Sequence, residues 1–323
     1  MTTTPTFNQP STVPEEAMEE ASRETRRGWR RWARRAAFVA AAVLASAVLI
    51  AAGVAWYAAG QLLELAPQVI GAAPDDFKAE TVSFASPSGS QIAGWYRPGE
   101  PGRGVVVLLH GIRSSRTSSL PRAKLIAEAG FSTLLIDLRC HGESAGDQIT
   151  LGSLERLDVQ AAVAFAKSRN PGEPTAVVGF SLGGAATVLA APLDVDAVVL
   201  EAVFPTIEAA VSNRTRRRFG VLEPLATWAL LAQLEPRTGI AAEALRPADR
   251  VADLGCPVLI VGGTTDVLTT PDDTRRLFAA AAEPKQLGWF TGLAHQNYAY
   301  WQPDEYRSLV VEFLSRRCGA AGE

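Results

Sequence analysis

Residues 179–183 read Gly179-Phe180-Ser181-Leu182-Gly183, a G-x-S-x-G pattern. A serine hydroxyl is a weak nucleophile until a neighbouring base takes its proton. A short pattern of this kind arises by chance, so its surroundings decide its weight. An apolar, β-branched run, Thr175–Phe180, precedes it, and a helical stretch, Leu182–Ala191, follows. A serine between such a strand and helix sits in a sharp turn with its side chain lifted off the sheet. Gly179 and Gly183 carry no Cβ to clash in that turn, and Gly184 lets the helix pack close. The plainer alternative is a serine that only caps the helix.

Histidine is the usual base near neutral pH, and the chain has three. His110 ends the run Val105–His110, just before Gly111. His141 lies in the turn Asp137–Ser144 after the next strand. His295 lies late, in the loop 291–298. Only His295 suits the chain order Ser…Asp…His. Asp266 follows the run Val258–Gly262 at the strand's carboxyl end and is the expected partner that orients the base. Glu201, after the preceding strand, is the second choice; Asp272 and Asp273 read as capping carboxylates at a helix start. The oxyanion of acyl transfer needs donors. The backbone N–H groups of Leu182, directly after the serine, and of Ile112, in the loop after His110, are the expected pair.

Around these residues, short buried-strand patterns alternate with helical ones. A hairpin spans 81–96 about Pro87-Ser88-Gly89. Strands are expected at 105–110, 133–138, 175–180, 197–200, 258–262 and 286–290, with helices at 120–129, 154–167, 182–191, 272–282 and 305–316. This alternation predicts an α/β fold with a mostly parallel sheet of about eight strands covered by helices, and with function at the carboxyl ends of the strands. Residues 204–251 are about twice an ordinary crossover and are interrupted by Pro205, Pro224, Pro236 and Pro247. They read as a small helical cap, with an elaborated surface crossover as the alternative.

Leu109-His110-Gly111, Asp137–Ser144, Gly179–Gly184, Gly262–Asp266 and the His295 loop, in this order over about residues 80–316, resemble the α/β-hydrolase superfamily. The likeness is greatest to its serine-hydrolase branch with monoacylglycerol-lipase-like and aminopeptidase-like members. The resemblance implies a Ser181–Asp266–His295 triad and an acyl-enzyme route. Relatives with an aspartate nucleophile cleave halides or epoxides, and Ser181 argues against those activities. The short cap suggests no particular pocket, so substrate class does not carry over.

The chain has 323 residues, 47 % of them hydrophobic, with a net charge of −3 and a mean hydropathy of +0.08. That content excludes wholesale disorder, and the charge gives a nucleic-acid partner no support. Three cysteines exclude a disulfide scaffold. No histidine-rich zinc site and no phosphate loop is present, so the reading requires no cofactor and no metal. Much of the hydropathy sits in one uncharged run, 36–63, half alanine over 36–59. A bilayer core needs about 20 apolar residues of helix. Trp56 and Tyr57 lie at its far end, where amphipathic rings prefer the interface. Six arginines, Arg26, Arg27, Arg30, Arg31, Arg34 and Arg35, precede the run, and the next charges are Glu64, Asp75 and Asp76. Positive-inside topology then places the N-terminus in the cytoplasm and the catalytic part outside. The domain reading is a disordered basic tail over 1–35, a transmembrane helix over 36–60, a linker over 61–76 and the α/β-hydrolase domain over 77–323. A cleaved signal peptide, giving a secreted protein, and a buried core helix are the other readings; a signal's apolar region is usually about 7–15 residues.

The activity expected is membrane-anchored ester hydrolysis on a small ester or lipid-like substrate. A peptidase acting near an N-terminus, or a thioesterase, would use the same three residues. The peptidase would need an acid for the substrate amine, for which Glu201, Glu208, Glu223 and Glu235 are available. A non-catalytic scaffold on the same fold is the remaining class. Arg214, Arg216, Arg217 and Arg218 read as a solvated helix face or as a contact for anionic head groups. Cys140 and Cys256 read as small buried hydrophobes, and Cys318 carries no role. Oligomeric state is not legible.

Overall fold

The structure, a computed structural model, describes residues 14–318. It divides into two compact units, Met1–Val54 and Ala55–Glu323. The described part of the first is helix α1 (Glu15–Leu63) up to Val54. The helix begins well before residue 36, which corrects the disordered tail expected for 1–35; residues 1–13 of that tail lie outside the described residues. The reason is local. Glu15 and Glu16 sit in the first turn, where the helix dipole favours acids, and Arg23 pairs with Glu19 one turn back at 3.4 Å. Apolar side chains along 38–50 remain exposed. Among the described residues, Met18–Gln61 is the one helical stretch long and apolar enough to cross a membrane.

The second unit carries an eight-stranded sheet. Its strands are β1 (Glu80–Ala85), β2 (Gln91–Arg97), β3 (Val105–Leu109), β4 (Ser132–Ile136), β5 (Thr175–Phe180), β6 (Ala197–Glu201), β7 (Val258–Gly263) and β8 (Lys285–Phe290). Their order across the sheet is β8-β7-β6-β5-β3-β4-β2-β1. The hairpin β1–β2 is antiparallel and β2 joins β4 antiparallel; every other pairing is parallel. Strands such as Val105–Leu109 are apolar throughout because both faces are covered, and all five of its residues are buried. One core packs on each face of the sheet. The register aligns the carboxyl ends: Leu109 lies opposite Gly179, Phe180 opposite Glu201, and Glu201 opposite Val261. The loops leaving β3, β5, β6, β7 and β8 therefore meet at one edge.

Helices α2 (Leu120–Glu128), α3 (Glu155–Arg169) and α4 (Leu182–Leu189) fill the crossovers near their expected places. The segment between β6 and β7 is helical, as the proline-broken pattern implies: α5 (Ile207–Phe219), α6 (Glu223–Leu231), α7 (Leu234–Thr238) and short 3₁₀ turns. Helix α8 (Pro271–Ala280) starts with a reciprocal cap between Thr270 and Asp273, so Asp273 serves as the capping carboxylate. The closing helical stretch starts earlier than expected and runs in pieces from Tyr298 to Cys318, with a π turn over Arg307–Val311.

The segment 61–76 is strapped to the domain, which corrects its reading as a linker. Ala66–Pro67 pairs in parallel with His141–Gly142. Glu143 accepts from Ile70 N at 3.0 Å and Gly71 N at 2.8 Å, and Trp95 Nε1 donates to Gly71 O at 3.0 Å. Arg116 ties this strap to the loops at the sheet edge. Its fully buried guanidinium pairs with both Asp137 and Glu143, and its backbone N–H donates to Asp137 at 2.6 Å. The Arg116 partnership holds the Glu143 carboxyl down at about 2. Replacing Arg116 with leucine strands the Asp137 carboxylate in the interior and is expected to cost about 3–5 kcal/mol, read as a lower urea midpoint with an unchanged m-value. An unshifted midpoint would mean that the buried Arg116–Asp137 pair contributes nothing to stability.

Candidate active site

Ser181 stands between β5 and α4 at φ +50° and ψ −111°, a conformation that L-residues rarely adopt. The turn is held by its backbone: Ser181 N–H donates to Glu201 O at 2.8 Å and Gly183 N–H to His110 O at 3.1 Å. The glycines are required by close approach. A Cβ on Gly184 would meet Val203 Cγ2 at 2.2 Å, and one on Gly183 would meet His110 O at 2.8 Å.

His295 arrives on the loop after β8, with Nε2 3.1 Å from Ser181 Oγ and Nδ1 2.8 Å from Asp266 Oδ2. Asp266 stands after β7 with its carboxylate wholly shielded from solvent, and its Oδ1 accepts from the N–H groups of Leu268 at 2.8 Å and Thr269 at 2.9 Å. A carboxylate so held accepts from Nδ1–H, which leaves the Nε2 lone pair for the serine proton. His295 keeps 14 % of its side chain exposed, so the site opens on its side. The structure thus brings Ser181, His295 and Asp266 into one hydrogen-bonded chain.

Leu182 N–H opens helix α4, where the first turn has no intrahelical acceptors. The Ile112 loop lies close to it: a Cβ on Gly111 would stand 3.6 Å from Ser181 Cβ and 3.1 Å from the Phe180 ring. Neither Leu182 N–H nor Ile112 N–H donates to a protein acceptor among the described residues. His110 braces this loop. Its Nε2 accepts from Leu138 N–H at 3.1 Å, so Nδ1 carries the proton and donates to Gly111 O at 2.7 Å. Burial, then the nearby His141, pushes the His110 imidazolium down to about 3. His141 is also buried; its Nδ1 lies 2.8 Å from Arg139 O, and burial lowers its pKa. The ring of neither histidine hydrogen-bonds to Ser181.

Glu201 takes a different place from the one its strand end suggested. Its side chain accepts from Arg122 Nε and from Tyr306 OH, each at 2.6 Å, and makes no bond to His295. Arg122 in turn lies 4.9 Å from the centre of the Phe180 ring, and that ring lies 5.0 Å from the ring of His295. Burial, then the Glu201 carboxylate, keeps the Tyr306 hydroxyl protonated well above its usual range. This brace behind the base was not read from the sequence; Arg122 stands on the inner side of an amphipathic helix, where an arginine is the one available signal. The arginine run divides as well. Arg214 is half-buried, donates to Ala210 O at 2.7 Å and feels the Asp266 charge, whereas Arg216, Arg217 and Arg218 are exposed. Asn213 binds Leu268 O at 3.3 Å and Asp273 at 2.6 Å, which ties the cap to the Asp266 loop.

The mostly parallel sheet, the turn at Ser181 and the His295–Asp266 pair at one strand edge define the class by architecture: this is an α/β-hydrolase fold. Residues 100–243 match the family described as serine aminopeptidase, S33. The chain is 28 % identical over 259 residues to the YfhR protein of Salmonella typhimurium, covering 76 % of this chain and 85 % of that one. Among solved structures it is similar to the Pyrococcus furiosus esterase Pf2001, with a TM-score of 0.65 and 22 % identity over 80 % of this chain and 99 % of the other. It is similar too to the esterase RhEst1 of Rhodococcus sp., with a TM-score of 0.55 and 23 % identity over 73 % and 99 %. At these identities the structural likeness carries the fold.

The two buried histidines give the fold a signature in acid. Unfolded, His110 takes up a proton below its ordinary 6.5; folded, it stays neutral until about 3. Between those values the unfolded chain binds the extra proton, so stability falls as pH falls, by about 1.4 kcal/mol per unit for a group in this state. Urea midpoints are expected to drop from pH 7 to pH 5, and His110→Asn, isosteric at the Nδ1 position, should flatten the slope. An equal slope in that variant would remove His110 from the account.

Proposed function

We propose that the protein is a membrane-anchored serine hydrolase that cleaves a carboxylic ester through an acyl-enzyme. The observation that carries this is the chain Ser181 Oγ–His295 Nε2, 3.1 Å, and His295 Nδ1–Asp266 Oδ2, 2.8 Å. Ser181 Oγ attacks the ester carbonyl as His295 Nε2 takes its proton. The oxyanion faces Leu182 N–H and Ile112 N–H. Collapse breaks the carbon–oxygen bond to the alcohol, and His295 returns the proton to that leaving oxygen. Water then adds to the acyl-enzyme, giving its proton to His295, and the acid leaves as Ser181 is reprotonated. Asp266 orients the ring throughout. That both structural neighbours above are named esterases favours an ester substrate. Residues 36–60 serve as the anchor, with the basic flank on the cytoplasmic side and the catalytic unit outside.

The S33 match favours a second reading, a peptidase acting near an N-terminus. It needs a carboxylate free to take the substrate amine. Glu201 is spent on Arg122 and Tyr306, Glu208 pairs with Arg246 at 2.6 Å, and Glu223 accepts from Thr227 at 2.8 Å. Glu235 is exposed. The ester reading needs no such group and is preferred.

Ser181→Ala is expected to abolish turnover of short p-nitrophenyl esters and labelling by a fluorophosphonate. Asp266→Asn, which favours the wrong tautomer of His295, is expected to lower kcat by about four orders of magnitude while the fold is kept. Wild-type turnover in the serine variant would sink the assignment, and aminoacyl-naphthylamide turnover above ester turnover would favour the peptidase.

A further inference from the structure

Helix α6 of the cap is apolar on two sides: Leu230 and Leu231 line an inner cleft, while other apolar side chains face outward. Its Thr227 turns toward α5: Thr227 Oγ1 lies 2.6 Å from Thr215 Oγ1 of that helix, and Thr227 donates to Glu223. No residue of α6 is buried, although its sequence is mostly apolar. Leu225 and Trp228 are exposed, and the turn that leads into the helix exposes Phe219, Val221 and Leu222, with Val221 95 % accessible. Immediately before this turn, the last turn of α5 exposes Arg216, Arg217 and Arg218. An apolar face of this kind on a water-soluble surface marks a contact with something else.

The occupant is indicated by charge and by position. Apolar side chains reaching outward beside a cluster of cations complement a bilayer with anionic head groups: the rings and aliphatic chains enter the acyl boundary while the arginines meet the phosphates. The far end of α1 packs on the same cap. The Arg237 guanidinium of α7 lies 3.7 Å from the centre of the Trp56 ring and donates to Trp56 O. Ala59 and Leu63 line a small apolar cleft with Ile207, Val211 and Leu234. Trp56, Ala59 and Leu63, at the end of α1, are thus held against the cap.

We propose that the turn and helix 216–228 form a membrane-docking surface selective for anionic lipid. It seats the cap in the bilayer interface, so that the ester-cleaving site is presented to substrates of the membrane surface. The inference rests on the anchor reading given above. An arginine near a charged bilayer contributes about a fivefold change in binding equilibrium, so loss of all three is expected to lower the docked fraction's ratio about a hundredfold.

The test uses the full chain in nanodiscs of phosphatidylcholine alone or mixed with phosphatidylglycerol. Val221→Cys in a Cys256→Ser background carries an environment-sensitive fluorophore, and nitroxide-bearing lipids act as quenchers. Docking predicts a blue-shifted, quenched label that is enhanced by phosphatidylglycerol. Arg216→Ala, Arg217→Ala and Arg218→Ala together should abolish the enhancement while p-nitrophenyl ester turnover stays at its basal level. Ser181→Ala should dock like the parent, so failure of the catalytic reading leaves this result intact. A chain that inserts in both discs but keeps a water-exposed, unquenched label overturns docking and spares the anchor; a chain that joins neither disc overturns both. A label that is shielded from lipid and responds to protein concentration assigns the face to a second copy and also overturns the proposal.

Discussion

The site depends on a backbone held where serine does not rest by itself. At φ +50° and ψ −111° Ser181 carries strain of about 1–3 kcal/mol, and the surroundings must outweigh it. They do so with main-chain bonds to Glu201 O and His110 O and with three glycines that let strand and helix approach. Since those acceptors lie on β6 and on the end of β3, the turn is set by the sheet's register. The hydroxyl is aimed by the whole parallel core, and His295 and Asp266 reach it from strand ends that the same register levels.

Behind the base, Glu201, Arg122 and Tyr306 form a buried polar brace. A carboxylate and a guanidinium taken out of water gain little net stability from one another, so their value lies in fixing geometry. Arg122 lies over Phe180, and Phe180 packs beside His295. The imidazole is thus confined by a ring whose own position is set by a buried charge. His110 does the corresponding work for the Ile112 loop, and its neutrality, enforced by burial, makes it a fixed donor and acceptor.

What was legible beforehand is local. The β-branched run before Gly179, the glycine spacing, and the chain order of serine, aspartate and histidine all lie within a few residues or follow from topology, and Thr270 with Asp273 shows its cap in four letters. What was not legible depends on facing. Arg214 and Arg216 are two residues apart, about 200° around a helix, and no local rule shows which of them turns toward Asp266. Glu201 sits at a strand end as an alternative acid would, and only the distant Arg122 and Tyr306 take it away. The strap at Ile70 and Gly71 owes its order to Glu143, more than seventy residues on, and composition alone reads such a stretch as a linker.

That strap changes how the two ends of the second unit are related. Arg113, next to Ile112, donates to Gln61 O at 2.8 Å, and Ser115 donates to the Gln68 side chain at 3.0 Å. The last turn of α1 and the chain after it are therefore bonded to the same loop that carries a candidate oxyanion donor. A flexible tether would leave the loop to be positioned by His110 alone. Here the loop is braced from the core side by His110 and from the helix side by Gln61 and Gln68. Arg116 locks both to Asp137 at the end of β4. A displacement of the helix end is thus resisted by hydrogen bonds to the side chains of Arg113 and Ser115, in the loop that follows Ile112.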